Sequence, residues 1–256
     1  MSTPPSAGPC TTRKKFTIVM NLLTSIRNNT PNAVTCCNLL SGALACIAAF
    51  HCFDTWWWGL QGYQVAFVWI AAAAVFDFLD GFTARLLHAV SPLGKELDSL
   101  SDSVSFGLAP ALILYNMMLQ AYPLQAWAPY LTLLIPVFGA LRLARFNTDP
   151  NQGTVFTGLA IPANAIFWIG FTSFFATRHQ VLPLWCVIVL IVAFSLLMVC
   201  NLRMFSLKLH SLSLKAAWKQ YLMVVVFLLS LATCGIAGLA VTIAFYIILS
   251  ACTRQD

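Results

Sequence analysis

Charge is scarce in this chain of 256 residues: Asp, Glu, Lys and Arg make up 9% of it, whereas 60% of the residues are hydrophobic. An ordinary soluble domain is roughly a quarter charged. Uncharged stretches such as 103–141 and 220–253 exceed the roughly 20 apolar residues that a membrane-crossing helix needs. The composition therefore excludes an ordinary soluble enzyme and predicts an all-α fold, a polytopic membrane helix bundle.

Residue types that commonly bind zinc or form disulfides show no useful pattern. Of the nine cysteines, Cys36 and Cys37 are adjacent and most others lie in apolar runs, where free cysteine acts as a small hydrophobe. The four histidines contain no His-x-x-x-His pair. The sequence therefore argues against a zinc site with nitrogen and sulfur ligands, and it shows no disulfide framework.

The apolar stretches predict about eight transmembrane helices, and nothing in the sequence indicates a separate soluble domain. The run from 221 to 252 is long for one helix and short for two, with a turn available at 233–235, so one span and two spans both stay open there. The eight predicted spans are 33–53, 63–87, 97–119, 127–145, 159–177, 182–200, 217–231 and 235–250.

The first 30 residues are predicted to form a cytoplasmic tail followed by an N-terminal amphipathic interfacial helix. Apolar residues recur at helical spacing between Phe16 and Ile26, and basic residues flank them at 13–15 and at Arg27. Residues 31–256 are predicted to form a single membrane domain.

The distribution of basic residues predicts the orientation of the bundle. With eight spans and the N-terminus in the cytoplasm, Arg178 is the one residue among the 14 Lys and Arg that falls on the outer side. Basic residues are enriched in cytoplasmic loops, where they face anionic lipid headgroups. This bias explains the net charge of +6 without a nucleic-acid partner.

Acidic residues are rarer still, and most of them are clustered: of the eight Asp and Glu, five lie between positions 77 and 102. Asp77 with Asp80, and Asp98 with Asp102, fall at helical spacing near the cytoplasmic ends of the second and third spans. Because adjacent antiparallel helices bring these ends together, we expect four carboxylates to converge. Oxygen ligands suit Mg²⁺, Mn²⁺ or Ca²⁺, and four carboxylates can hold two ions, as in phosphoryl-transfer sites.

Two other interpretations compete with an enzyme. A single intramembrane Asp can pair with an Arg to support folding, but four at fixed spacing, interleaved with Gly81 and Arg85, point beyond that role. Carboxylates on neighbouring helices also line ion paths, so a divalent-cation transporter stays open. The cytoplasmic depth of the cluster favours the enzyme, and the guanidinium of Arg85 offers a fixed fork for phosphate oxygens.

The spacing around the aspartates resembles the signature of the CDP-alcohol phosphatidyltransferase family, Asp-x2-Asp-Gly-x2-Ala-Arg-x8-Gly-x3-Asp-x3-Asp. Stretches at 30–38, 101–110, 140–147 and 156–162 are similar to the phosphatidylserine synthase branch of that family. The resemblance implies an integral membrane enzyme that uses a divalent metal to move a phosphatidyl group from a CDP-linked lipid to an alcohol, with release of CMP. The residues that match the signature are Asp77, Asp80, Gly81, Ala84, Arg85, Gly94, Asp98 and Asp102.

The chemistry and the resemblance together predict roles for individual residues. Asp102 is expected to take the proton of the acceptor hydroxyl. Arg142 and Arg145 are expected to hold a serine carboxylate, although they could equally mark the membrane interface or bind the lipid phosphate. The expected ligands of two Mg²⁺ or Mn²⁺ ions are Asp77, Asp80, Asp98 and Asp102, and the expected contacts of the CDP-lipid are Asn32, Thr35, Gly81, Ala84 and Arg85.

By the same resemblance, CDP-diacylglycerol and L-serine are the expected substrates, with glycerol 3-phosphate or inositol as alternative acceptors. We also expect membrane lipids around the bundle, a prokaryotic inner membrane as its location, an active site that faces the cytoplasm and, as is common in the family, a homodimer.

Overall fold

The computed structural model of the protein describes residues 10–56, 59–148, 158–178, 182–202, 204 and 218–252, without the side chains of 10–26, 28 and 178. Regular structure in these residues is helical, apart from one isolated antiparallel bridge between Thr55 and Gln61. The all-α prediction is therefore confirmed across the described part of the chain.

Nine α-helices and several shorter helical turns follow one another along the described residues. The first four α-helices are α1 (Cys10–Phe50), α2 (Gly62–Leu86), α3 (Pro92–Asp102) and α4 (Ala109–Ala121), with a π-helix, Ser103–Leu108, between α3 and α4. A 3-10 helix, Ala128–Leu133, leads into α5 (Leu134–Thr148). The remaining helices are α6 (Ile161–Arg178), α7 (Leu184–Val199), α8 (Trp218–Cys234) and α9 (Gly238–Cys252).

The predicted amphipathic segment at 16–26 is helical, but it is part of the long helix α1. That helix runs from Cys10 to Phe50 through Pro31, whose carbonyl accepts a hydrogen bond from the Thr35 hydroxyl (3.1 Å). A threonine hydroxyl that donates to the carbonyl four residues before it is a common arrangement within a helix. The side chains that would lie on a membrane surface fall outside the described residues, so that placement stays a prediction.

Within the described part of the chain, five helical segments are long and apolar enough to cross a membrane, as expected of an integral membrane protein. Two shorter apolar helices, Ile161–Thr177 and Leu184–Val199, accompany them. The five longer segments are Asn29–Phe50, Gly62–Leu86, Pro92–Ala121, Ala128–Thr148 and Trp218–Cys252.

The segment Trp218–Cys252 is folded back on itself. The hydroxyls of Ser230 in α8 and Thr242 in α9 are 2.9 Å apart, although a straight helix would separate residues twelve positions apart by about 18 Å. The turn contains a short 3-10 helix whose first residue, Gly235, has a φ of 59°, which glycine adopts without strain. α8 and α9 therefore form a helical hairpin.

Helix α1 holds the N-terminal half of the bundle together. It packs along α2 and also contacts α3, the π-helix and α4. Gly42 permits the close approach, because a side chain there would collide with Ser105 of the π-helix. In the rest of the bundle α6 packs against α4 and α9, and α5 packs against α7. The two acidic helices, α2 and α3, are thus both aligned against the same helix.

Candidate active site

The short connection between α2 and α3 turns the chain sharply, so that both acidic helices pack against α1 and their aspartates approach one another. α2 ends in a left-handed residue, His88 (φ 51°), and the amide of Ala89 donates to the carbonyl of Ala84 (3.0 Å), which closes the helix end. Ser91 then caps α3 by accepting a hydrogen bond from the amide of Gly94 (3.0 Å), and Pro92 follows at the first helical position.

This turn brings three of the four predicted metal ligands together. Asp77 from α2 and Asp98 and Asp102 from α3 each contribute an oxygen, and these three atoms lie within 4.8 Å of one another. Asp102 is buried, at 8% exposure, and the other two are half-buried. We call these three residues the carboxylate triad.

Asp80 lies outside the triad but close to it. It is 5% exposed and lies beside the Thr35 hydroxyl of α1. Together with Asp98 it lines a cavity of about 230 Å³ that opens next to the triad. Asp98 therefore belongs both to the triad and to the cavity wall, and Asp80 faces the same space.

The four carboxylates fit a divalent cation. Oδ2 of Asp80 and Oδ1 of Asp98 are buried and have no hydrogen-bond partner among the described residues. Within the same residues, none of the four pairs with a Lys or Arg inside 4.0 Å. Buried carboxylates at this separation repel one another unless a cation compensates them. An all-oxygen donor set is the chemistry that Mg²⁺ and Mn²⁺ prefer.

The cavity contains every residue that the sequence assigns to the CDP-lipid. The guanidinium of Arg85 lies over Gly81, where a Cβ would be 3.7 Å from Nη1, so the absence of a side chain keeps the wall open. Gly94 packs against Asn32, and a Cβ there would lie 3.0 Å from Asn32 Oδ1. The assigned residues that line the cavity are Asn32, Thr35, Gly81, Ala84 and Arg85.

The two arginines proposed to bind the acceptor lie in different surroundings. Arg142 is half-buried, its Nε has no hydrogen-bond partner among the described residues, and it interacts electrostatically with Asp102. Arg145 is exposed, and its Nη1 donates to the carbonyl of Val199 at the end of α7 (2.7 Å). Arg142 is therefore close enough to Asp102 for their charges to interact, whereas Arg145 is held by α7.

The stretch after Arg145 attaches α5 to α3. The Asn147 amide donates to the Ser99 hydroxyl (2.9 Å), and the Lys95 ammonium donates to the Asn147 carbonyl (3.2 Å). Lys95 also lines the cavity. These contacts hold the end of α5, with Arg142, beside the acidic helix.

Asn38 is a polar residue at the site that the sequence analysis did not single out. It is fully buried on α1, and its amide nitrogen donates to Oδ1 of Asp102 (3.2 Å). Its oxygens accept from the Ser105 hydroxyl. An amide one turn beyond Thr35, in a mostly apolar span, is the feature of the sequence that could have indicated it.

The arrangement joins a carboxylate cluster that could hold a cation to a cavity with a basic wall. Such a site can bind a ligand with phosphate groups, because a cation held there and Arg85 would both attract phosphate oxygens. A carboxylate at the same place can accept a proton from a hydroxyl. The geometry therefore suits phosphoryl transfer to an alcohol.

Curated proteins similar to this chain are named CDP-diacylglycerol–serine O-phosphatidyltransferase. One from Mycobacterium leprae is 46% identical over 114 residues, which is 42% of this chain and 37% of that protein. One from Methanocaldococcus jannaschii is 38% identical over 138 residues, 54% of this chain and 57% of that protein. One from Bacillus subtilis is 34% identical over 135 residues, 53% and 70% respectively. The chain thus spans about two fifths of the mycobacterial relative's length.

A protein-family model described as CDP-alcohol phosphatidyltransferase matches residues 28–171, more than half of the chain. The matched region contains the carboxylate triad, Asp80, the cavity residues and Arg142. The sequence signature, the geometry of the site and the extent of this match agree. The chain belongs to the CDP-alcohol phosphatidyltransferase family.

Proposed function

We propose that the protein transfers the phosphatidyl group of CDP-diacylglycerol to the hydroxyl of L-serine, giving phosphatidylserine and CMP. The observation that carries the proposal is the carboxylate triad at the edge of a cavity with a basic wall. The names of the similar curated proteins support serine as the acceptor.

Asp77, Asp80, Asp98 and Asp102 would hold the metal. Two bound Mg²⁺ or Mn²⁺ ions would neutralise the diphosphate of the donor and the charge that develops on the departing CMP. The buried oxygens of Asp80 and Asp98 that have no hydrogen-bond partner among the described residues support this assignment.

The donor would occupy the cavity between α1 and the α2–α3 turn. Arg85 would hold the diphosphate with its guanidinium fork, and Asn32 and Thr35 would contact the cytidine. Gly81 and Ala84 have little or no side chain and let the donor approach α2 closely. The apolar, exposed outer faces of the helices leave the acyl chains free to extend into the membrane.

Asp102 would act as the general base. Its carboxylate takes the proton of the serine hydroxyl, the hydroxyl oxygen forms a bond to the lipid-bearing phosphorus, and the bond from that phosphorus to CMP breaks. We assign the serine carboxylate to Arg142 and Arg145, with Arg142 as the principal contact because its charge interacts with Asp102 and its buried Nε has no hydrogen-bond partner among the described residues. Arg145 would then contribute mainly by fixing the end of α7 beside the site.

The site would face the cytoplasm of a prokaryotic inner membrane. The first span of α1, then α2, α3 with α4, α5, α6, α7, α8 and α9 would make eight crossings, and residues 1–30 would include a helix on the inner surface. The Lys and Arg distribution supports this orientation. Residues 31–256 would form one membrane domain, and the protein would form a homodimer.

The test is a labelled-acceptor assay with the protein in vesicles that contain CDP-diacylglycerol and Mg²⁺ or Mn²⁺. Serine, inositol and glycerol 3-phosphate are supplied separately, and label in the lipid fraction is measured. We expect label from serine alone. Incorporation of inositol or glycerol 3-phosphate instead would assign another acceptor, and divalent-cation flux without CMP release would contradict the enzyme.

A further inference from the structure

Asn38 links Asp102 to Ser105 by hydrogen bonds, and none of the roles assigned above explains this link. Its amide nitrogen donates to Oδ1 of Asp102, and the Ser105 hydroxyl lies 2.7 Å from its side-chain oxygen and 3.1 Å from its main-chain oxygen. Asn38 is 0% exposed, as is Ser105. Both residues lie at the contact between α1 and the π-helix that follows Asp102.

The carboxylate of Asp102 determines which end of the Asn38 amide faces the triad, because an ionised carboxylate can only accept a hydrogen bond, whereas an amide has a donor end and an acceptor end. The NH₂ group is therefore turned toward Asp102, and the Asn38 oxygen accepts from the Ser105 hydroxyl, which holds the amide in that orientation. The reversed amide would place an oxygen about as far from the carboxylate as the nitrogen is now, and two acceptors at that separation repel.

This hydrogen bond engages one oxygen of Asp102. Among the described residues, Asn38 is the one side chain that donates a hydrogen bond to that carboxylate. Oδ2 therefore remains available for a cation or for the acceptor hydroxyl. A side chain that hydrogen-bonds to a metal-binding residue commonly fixes the orientation of that residue.

We propose that Asn38, locked by Ser105, is a positioning residue for Asp102: it sets the direction in which the carboxylate faces the metal and the acceptor hydroxyl. The inference rests on the proposed function for its catalytic consequence. It rests on the structure alone for its effect on cation binding.

A purely structural role is the competing explanation, and the chain offers a matched control for it. Asn116 of α4 also attaches its helix to α1, by donating to the Ala49 carbonyl (3.1 Å). It does not line the cavity and is not part of the triad. Asn116→Ala thus removes an equivalent interhelical amide contact at a distance from the aspartates.

The test compares Asn38→Ala, Ser105→Ala and Asn116→Ala with the wild type in three measurements. Thermal melting establishes that each variant folds. Mn²⁺ titration of the full-length protein, followed by the EPR signal of free Mn²⁺, gives cation affinity without substrates. Steady-state kinetics with CDP-diacylglycerol and serine give kcat and KM.

We expect Asn38→Ala to weaken Mn²⁺ binding about 10-fold and to lower kcat by about 10- to 100-fold, with the KM for CDP-diacylglycerol changed less than about 3-fold. Ser105→Ala should show the same pattern with a smaller loss. A fourth variant that combines Asn38→Ala with Ser105→Ala should match Asn38→Ala alone, because Ser105 acts through the amide. Asn116→Ala should leave Mn²⁺ affinity unchanged.

Mn²⁺ affinity and kcat in Asn38→Ala equal to those of Asn116→Ala would overturn the inference. If Asn38→Ala does not fold, Ser105→Ala decides, and wild-type behaviour in that variant overturns it. Weaker Mn²⁺ binding in a protein whose wild type forms no phosphatidylserine would support the positioning role and contradict the proposed function.

Discussion

The helical segment Pro92–Ala121 and the hairpin Trp218–Cys252 are both apolar enough for a membrane, but they differ in what surrounds them. In the apolar stretch of the first segment 56% of the residues are buried inside the protein, whereas in that of the hairpin the share is 11%. The first carries Asp98 and Asp102, whereas the second has no charged residue between 220 and 252. Carboxylates in a membrane helix need protein around them, and apolar side chains need only lipid.

Hydrogen bonds between helices follow the same division. Next to the aspartates, the Ser101 hydroxyl donates to the Thr35 carbonyl (3.3 Å), and Asn38 and Ser105 continue the contact one turn further along. In the hairpin, the hydroxyls of Ser230 and Thr242 lie 2.9 Å apart and join α8 to α9. Polar contacts thus surround the aspartates, where the site must be held in place, and four predictions test the comparison between the two segments.

The largest effect is expected at the triad. Asp102→Asn keeps the size of the side chain but removes its basicity, so CMP release should fall about 1,000-fold while binding of CDP-diacylglycerol is partly retained. Parallel turnover and donor-binding assays measure this. Asp54→Asn is the control, because Asp54 is exposed and pairs with His51 in the α1–α2 loop. Full activity in Asp102→Asn would exclude the general-base role.

A smaller effect should separate the two arginines. Arg142→Ala should raise the KM for serine about 10-fold or more and leave that for CDP-diacylglycerol nearly unchanged, because a guanidinium–carboxylate contact is lost. Arg145→Ala should change the serine KM less and mainly lower the melting temperature, because it frees the end of α7. Equal effects of Arg142→Ala on both KM values would indicate the phosphate as its ligand.

A still smaller effect, on stability, is expected in the tightly packed region around α4. Ile113 of α4 is 1% exposed, so Ile113→Ala should leave a cavity and destabilise the protein by about 2 kcal/mol. Unfolding in mixed micelles measures the change. A loss no larger than that of a lipid-facing substitution would show that the region around α4 is packed no more tightly than the hairpin.

The smallest effect is expected on the outer face of the hairpin. Leu228 of α8 is 57% exposed, and Leu228→Ala should change stability by less than about 0.5 kcal/mol and leave CMP release unaltered. The same unfolding and turnover assays apply. A large loss of either property would place Leu228 in a protein contact, for example between two copies of the chain.

The approach of the aspartates could be predicted because helical spacing and an antiparallel turn are local properties. The cavity residues could be named because Gly81, Ala84 and Arg85 belong to the family signature, and because Asn32 and Thr35 lie in a stretch that resembles one branch of the family. Asn38 and Ser105 could not be paired, since they lie 67 residues apart and meet only through helix packing. The different surroundings of Arg142 and Arg145 likewise depend on α7, whose position the sequence does not specify.

The length of α1 and the reversal in the hairpin also could not be predicted from the sequence. Hydropathy marks apolar residues but does not locate helix ends, so it does not predict the continuity of α1 through Pro31. Hydropathy also leaves residues 221–252 open to one span or two. The contact between Ser230 and Thr242 shows that the chain reverses there, which only tertiary structure can reveal.

The most direct measurement is CMP release from CDP-diacylglycerol vesicles that contain the wild-type protein, with serine and Mg²⁺ or Mn²⁺ added separately and together. CMP should form only when both are present, in an amount equal to the phosphatidylserine produced, and a chelator should stop it. CMP release that is independent of serine or of the divalent cation, or its absence under all of these conditions, would contradict the account.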